Sequence, residues 1–259
     1  MIWRDVVYPK TANLIIGAKG SGKTGLGFYL IEMVRTEYGL SPKLVNFPEE
    51  FKDLVPPEYE IISLGEIADV PNSVILIDEG TTFLPAGRSK LEEMVKSMQS
   101  MSRQRNQVIL IIFHASSDVG SRIMRGLDVI MIKRPSKRQI QFGSKDNETK
   151  ALLRRARKKI PHYRKDLVLV DADEPEYSDI MSNDLPPFWS DELSTAWGRA
   201  GTGTKIDIDD LKAKSPQSDG ECMICHKEGH LWSGVCEDCF LEWCDSIEKG
   251  RAKPSLPRW

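Results

Sequence analysis

The chain has 259 residues, 40% of them hydrophobic, enough for one sizeable core and a small second module. Its formal net charge of −2 excludes a uniformly charged chain, and the charge is segregated: residues 133 to 165 carry 13 Lys/Arg and two acids, whereas residues 166 to 192 carry nine acids and no Lys/Arg. The N-terminal MIWRDVVYPK lacks the apolar run of a signal peptide, and the longest such run, Val108 to Phe113, is six residues, so no membrane span is expected.

Short apolar runs alternate with helical patterns. Asn13 to Ile16, Lys43 to Phe47, Glu60 to Leu64, Val74 to Ile77, Val108 to Phe113 and Asp128 to Ile132 read as strands, with the Val/Ile/Leu density of strands buried on both faces. Lys23 to Tyr38, Ser89 to Arg103 and Asn147 to Lys159 have helical length and spacing, and Arg138 to Phe142 reads as a further edge strand. Such alternation predicts a doubly wound α/β domain over residues 1–165. From residue 166 to 219 an acidic stretch, DLPPFWSDEL and GRAGTGTK read as a mostly extended linker, with Phe188, Trp189 and Trp197 docking on the core or on a neighbour. Residues 220–259 form a separate cysteine-bearing module.

Directly after the first strand and directly before the first long helix stands Gly17-Ala18-Lys19-Gly20-Ser21-Gly22-Lys23-Thr24, which matches G-x-x-x-x-G-K-[ST]. Glycines let the backbone curl so that its N–H groups and the helix N-terminus, reaching Gly25, face phosphates. Lys23 would reach the β and γ phosphates of ATP, and Thr24 would ligate Mg2+. The strand Val74 to Ile77 ends in Asp78-Glu79. There Asp78 would hold Mg2+ through its water shell, and Glu79 would orient or deprotonate the attacking water. That pair, and the lack of an obvious lid, favour hydrolysis over a small-molecule kinase.

The stretch Arg103-Gln-Arg-Asn-Gln-Val-Ile-Leu-Ile-Ile-Phe-His114, followed by Gly120 to Ile132, resembles the FtsK/HerA superfamily of DNA-pumping ATPases, which includes viral genome-packaging ATPases and Zot-like phage proteins. The resemblance covers roughly residues 10 to 145. It implies an α/β, RecA-like P-loop NTPase with a mainly parallel sheet. It also implies a homo-oligomeric ring with ATP at each interface, an arginine acting in trans and a polar sensor at the end of a strand. Arg103 falls on the arginine position, with Arg88 and Arg122 behind it, and His114 replaces the usual glutamine. Phe83 to Arg88 is similar to an element of Zot-like proteins, but those typically continue into a membrane helix, so packaging or another DNA-motor role is preferred.

Two further features bear on partners. The basic run from Lys133 to Lys165 could face the backbone of double-stranded DNA, or could be a solvated surface paired with the acids downstream. The five cysteines all lie near the C-terminus, which points to a reducing, cytoplasmic setting, or a virion-associated one for a viral chain. Cys222-x2-Cys225 and Cys236-x2-Cys239, ten residues apart, have the spacing of a tetrahedral Zn2+ site, for which His226, His230 and Cys244 are substitute ligands. Cys222 to His226 also spells a c-type haem attachment sequence, which would leave the second pair unexplained. The expected function is an ATP-driven DNA translocase, with the zinc module meeting a capsid, portal or other protein. The alternatives are a repair or conjugation motor, a Zot-like assembly protein, or a nucleotide-switched adaptor.

Overall fold

The computed structural model describes residues 2–78, 88–113, 124, 126–142, 147–199, 217–221, 228–232 and 235–236. They belong to two compact units, Met1–Trp197 and Gly198–Trp259. In chain order the first contains α1 (Trp3–Val6), β1 (Thr11–Ile16), α2 (Lys23–Tyr38), β2 (Ser41–Val45), β3 (Glu60–Ile62), β4 (Ser73–Ile77), α3 (Arg88–Arg105), β5 (Val108–Phe113), β6 (Val129–Ile132), α4 (Lys137–Phe142), α5 (Asn147–Lys159), β7 (Leu167–Ala172) and β8 (Tyr177–Ser182), and a short α6 spans Ala196–Arg199.

The strands form one eight-stranded sheet in the order β3-β2-β4-β5-β1-β6-β7-β8. Pairing is parallel from β3 through β6, whereas β7 and β8 are antiparallel additions at one edge. Alternation along each strand splits the core into two layers. Ile15, Leu76, Leu110, Ile112 and Met131 face α1 and α2, while Leu14, Ile16, Ile77, Ile111 and Phe113 face α3 and α5. Covering both faces explains why β1, β4 and β5 are apolar runs rather than alternating ones. Each fully buried Ile or Leu here contributes about 1.5–3 kcal/mol.

The expected elements are present with ends shifted by a few residues, and two expectations are corrected. Arg138 to Phe142 is helical, within α4. Ser136 and Gln139 form a reciprocal cap, in which Gln139 N–H donates to Ser136 Oγ at 3.1 Å and Ser136 N–H donates to Gln139 Oε1 at 2.8 Å. That S-x-x-Q pattern starts a helix.

The second correction concerns residues 166–219. Leu167–Ala172 and Tyr177–Ser182 are paired strands of the sheet, and the acidic residues between them are the hairpin turn. The following segment returns to the core beneath α2, where Phe28 meets Phe188, Trp189 and Trp197 at centroid distances of 5.8, 6.1 and 5.8 Å. Trp197 Nε1–H donates to Val45 O at 3.2 Å, and Trp3 Nε1–H donates to Ser182 O at 2.7 Å. The α/β unit therefore runs past residue 165 to Trp197.

In the second unit β9 (Gln217–Glu221), β10 (Glu228–Trp232) and β11 (Val235–Cys236) form an antiparallel sheet in the order β11-β10-β9. Cys222, Cys225, Cys239, Cys244 and His226 lie outside the described residues, and Cys236 and His230 enter only as strand backbone. Among the described residues no cluster of metal-ligating side chains occurs.

Candidate active site

β1 ends at Ile16 and α2 begins at Lys23, so Gly17 to Gly22 turn at the C-terminal end of a central strand. Two glycines permit that turn. A Cβ on Gly17 would lie 2.7 Å from Lys133 Cβ and 2.8 Å from Ser21 Oγ, closer than side-chain packing allows. Gly22, the N-cap of α2, has φ of 88°, in the left-handed region, and a Cβ there would also lie 2.9 Å from Lys165 O. The loop thus delivers the N–H groups of the first turn of α2 to the end of the sheet, where an anion is favoured.

Lys23 is buried, with Nζ donating to Gly17 O at 3.2 Å and Ala18 O at 3.1 Å. Thr24 Oγ1 donates to Asp78 Oδ2 at 2.7 Å, and Asp78 is only 3% exposed. Thr24 opens α2 while Asp78 follows β4, and β5 stands between β1 and β4, so this contact closes a gap of roughly 10 Å, two strand spacings. A hydroxyl and a carboxylate so placed are hard oxygen donors of the kind Mg2+ takes. Ser21 Oγ is buried with no hydrogen-bond partner, an orphaned hydroxyl inside the loop that a phosphate oxygen would satisfy.

On the other side of the loop Lys133, directly after β6, is fully buried. Its Nζ donates to Lys165 O at 2.7 Å and Asn183 Oδ1 at 2.6 Å. Burial pushes its ammonium down to about 7, with Asp166 opposing the shift. Gln139 Nε2–H donates to Gly17 O at 3.1 Å, and Ala18 N–H donates to Arg134 O at 3.3 Å, so the loop is held from β6 and α4 as well. Sequence reasoning missed both roles. Gln139 was signalled by the S-x-x-Q cap, and Lys133 by its position on the end of an apolar strand, although composition grouped it with surface cations.

The remaining expected site residues divide. Phe113 pairs with Ile16 and Ile111 pairs with Ile77, so β5 ends between the strands that lead to Gly17 and Asp78. His114 itself, like Glu79 and Arg122, lies outside the described residues, and Arg88 enters only as the first residue of α3. Arg103 stands at the far end of the sheet. Its Nη2 is 3.5 Å from Asp128 Oδ1, its side chain is 67% exposed, and Asp128 Oδ2 accepts from Ala12 N–H near the start of β1. The length of β1, roughly 20 Å, separates it from its own loop.

Much of the basic run is engaged within the chain. Arg134 Nη1 donates to Arg157 O at 2.8 Å and also to Ile160 O, Arg157 Nη1 donates to Pro135 O at 2.8 Å, and Arg155 bonds Ser178. Lys159 pairs with Asp179 at 2.6 Å, and Arg164 pairs with Asp166 at 2.6 Å, holding both carboxyls below their usual range. Arg154 and Lys158 remain exposed on α5.

No protein-family model matches the chain, and no curated protein matches its sequence. Solved structures do. The genome packaging NTPase B204 from Sulfolobus turreted icosahedral virus 2, in complex with sulfate, is similar over 68% of this chain and 98% of its own, with 14% identity and a TM-score of 0.50. The DNA-packaging ATPase B204 from Sulfolobus turreted icosahedral virus matches over 68% of this chain and 98% of its own, with 14% identity and a TM-score of 0.49. The pCW3 conjugation coupling protein TcpA matches over 74% of this chain and 65% of its own, with 14% identity and a TM-score of 0.49. At this identity the likeness is one of fold: a mixed, mostly parallel α/β sheet of the P-loop NTPase kind.

Proposed function

We propose that the chain is an ATP-hydrolysing DNA translocase of the FtsK/HerA kind, with viral genome packaging as its main role. The observation that carries this reading is the bond from Thr24 to Asp78, which joins the phosphate loop to a buried carboxylate across β5. In the proposed mechanism Lys23 would exchange its loop carbonyls for the β and γ phosphates, and Thr24 and Asp78 would hold Mg2+. When bound, the ion neutralises phosphate charge. Glu79 orients the attacking water, His114 senses the γ phosphate from the end of β5, and Arg103 acts on the neighbouring subunit of a homo-oligomeric ring. The distance of Arg103 from its own loop supports action in trans over action in cis. B204, described as a genome packaging NTPase, offers a functional parallel for a chain of similar fold. A repair or conjugation motor, or a Zot-like assembly protein, would use the same residues. Among the described residues no helix is long and apolar enough to cross a membrane.

The full-length protein should hydrolyse ATP faster when double-stranded DNA is added at low salt. Turnover indifferent to DNA would overturn the translocase reading. The internal engagement of Arg134, Arg155, Arg157, Lys159 and Arg164 favours a second reading, in which ATP binding switches an adaptor. Nucleotide-dependent assembly without DNA stimulation would select it.

For the C-terminal unit we propose a Zn2+ site formed by Cys222, Cys225, Cys236 and Cys239 that engages a capsid, portal or other protein. β9 ends at Glu221, one residue before Cys222, and β11 carries Cys236 opposite Leu231, so both cysteine pairs are attached to strands of the one small sheet. Metal analysis of purified protein should find one zinc per chain, lost when Cys222 and Cys225 are replaced by serine; zinc content unchanged by those substitutions would refute the ligand set.

A further inference from the structure

Among the described residues the large apolar side chains left exposed are Ile2, Tyr163 and Leu185, at 51%, 71% and 55%. Two of these flank the phosphate loop. Asn183 N–H donates to Asp166 O at 2.9 Å, so the chain entering β7 and the chain leaving β8 run side by side at the open end of the hairpin, opposite its turn. Tyr163 lies on the first segment and Leu185 on the second. Both segments press on the start of α2: Lys165 O lies 2.9 Å from where a Gly22 Cβ would stand, and Leu185 Cδ2 lies 2.7 Å from where a Gly25 Cβ would stand. Lys133 ties them together, through Lys165 O and Asn183 Oδ1. His162 packs edge-to-face on Tyr163 at 5.5 Å and borders a cavity of about 170 Å3 against Ala18, Gly20 and Ser21.

The proposed Mg2+ ligands would set the direction of a bound nucleotide. With Mg2+ held by Thr24 and Asp78, the β and γ phosphates would lie on the β4 side of the loop. The nucleoside would then leave on the other side, past Gly25, toward the segments that carry Tyr163 and Leu185. An exposed aromatic ring and an exposed aliphatic side chain held there have a planar, apolar occupant within reach. We infer that Tyr163 and Leu185 form a platform on which the base of the bound nucleotide rests, fixed against the loop by the Lys133 bonds to both segments. This inference rests on the reading of Gly17 to Thr24 as the nucleotide's phosphate site.

A platform of this kind acts on the base and leaves the phosphates alone, so two ligands separate the roles. Binding of ATP and of inorganic tripolyphosphate, each with Mg2+, is measured by calorimetry on the full chain and on variants Tyr163→Ala, Leu185→Ser and the double variant. Both side chains are exposed, so folding is expected to survive, and Tyr163→Phe, which keeps the ring, should bind like the parent. The double variant should lose ~10-fold or more in affinity for ATP, as removal of one base-stacking side chain does elsewhere. Its affinity for tripolyphosphate should stay within about twofold, since the phosphate contacts are untouched. Equal losses for both ligands, or no loss for ATP, would overturn the platform. Failure of the parent chain to bind either ligand would instead overturn the phosphate-site reading on which the platform depends.

Discussion

The two sides of the phosphate loop are built differently. Toward β4, the contacts are local to two short motifs: Lys23 and Thr24 are consecutive, and Asp78, which accepts from Thr24, directly follows an apolar strand. Toward β8, the loop is held by Gln139 and flanked by Lys133, which meets Lys165 and Asn183 because the hairpin folds back beside β6. Two buried lysines face the same loop from these two sides, Lys23 bonded to carbonyls of the loop itself and Lys133 to the flanking segments. One side carries the chemistry and the other holds it in place, and substitutions should separate the two.

The largest effect is expected on the β4 side. Asp78→Asn keeps the size of the side chain but removes the anionic ligand, and should lower ATP turnover ~100-fold or more while leaving the melting temperature near the parent value, as read by steady-state hydrolysis and thermal denaturation. Next comes Lys133→Ala on the other side, which leaves Lys165 O and Asn183 Oδ1 without their donor and opens a cavity. It should cost about 2–4 kcal/mol in denaturant unfolding. Comparable turnover loss from Lys133→Ala with undiminished stability would erase the contrast.

Smaller still, Gln139→Ala removes both the α4 cap and the bond to Gly17 O. A loss of about 1 kcal/mol and a few-fold rise in KM for ATP are expected. A pH dependence tests the β8 side by a different measure. With the folded-state ammonium of Lys133 pushed down to about 7 and an unfolded value near ~10.4, the unfolded chain holds more protons between these limits. Stability should therefore rise with pH from about 7 upward. Lys133→Met should flatten that rise in urea titrations, and a slope unaffected by the substitution would assign it to other groups.

Legibility in the sequence followed the same division. The central parallel strands could be read because burial on both faces makes them apolar, as in β5, whose ends Val108 and Phe113 match the expectation. Asp78 was legible for the same reason, as an acid at the end of such a strand. β7 and β8 were not. β8 is a polar edge strand, and the acids of the turn between the two strands made the whole stretch look like a linker. The S-x-x-Q cap was present but was overridden by the apolar and β-branched residues after it, Ile140 and Phe142. Composition alone could not separate Lys133, which ends in the core, from Arg154, which stays at the surface, because that distinction depends on which strand the residue follows.

The indole anchors at either end of the α/β unit carry a practical consequence. Trp3 clasps Ser182 and Trp197 clasps Val45, so the ends of the unit are fastened to distant parts of the sheet. A fragment cut at residue 165 would strip the sheet of two strands, leave the edge of β6 bare and uncover Phe28, inviting aggregation. A shortened protein for crystallisation should keep Trp197. Proteases should likewise spare the stretch from Leu167 to Trp197 despite its acidic, proline-containing sequence, because its backbone is tied into the core at both ends.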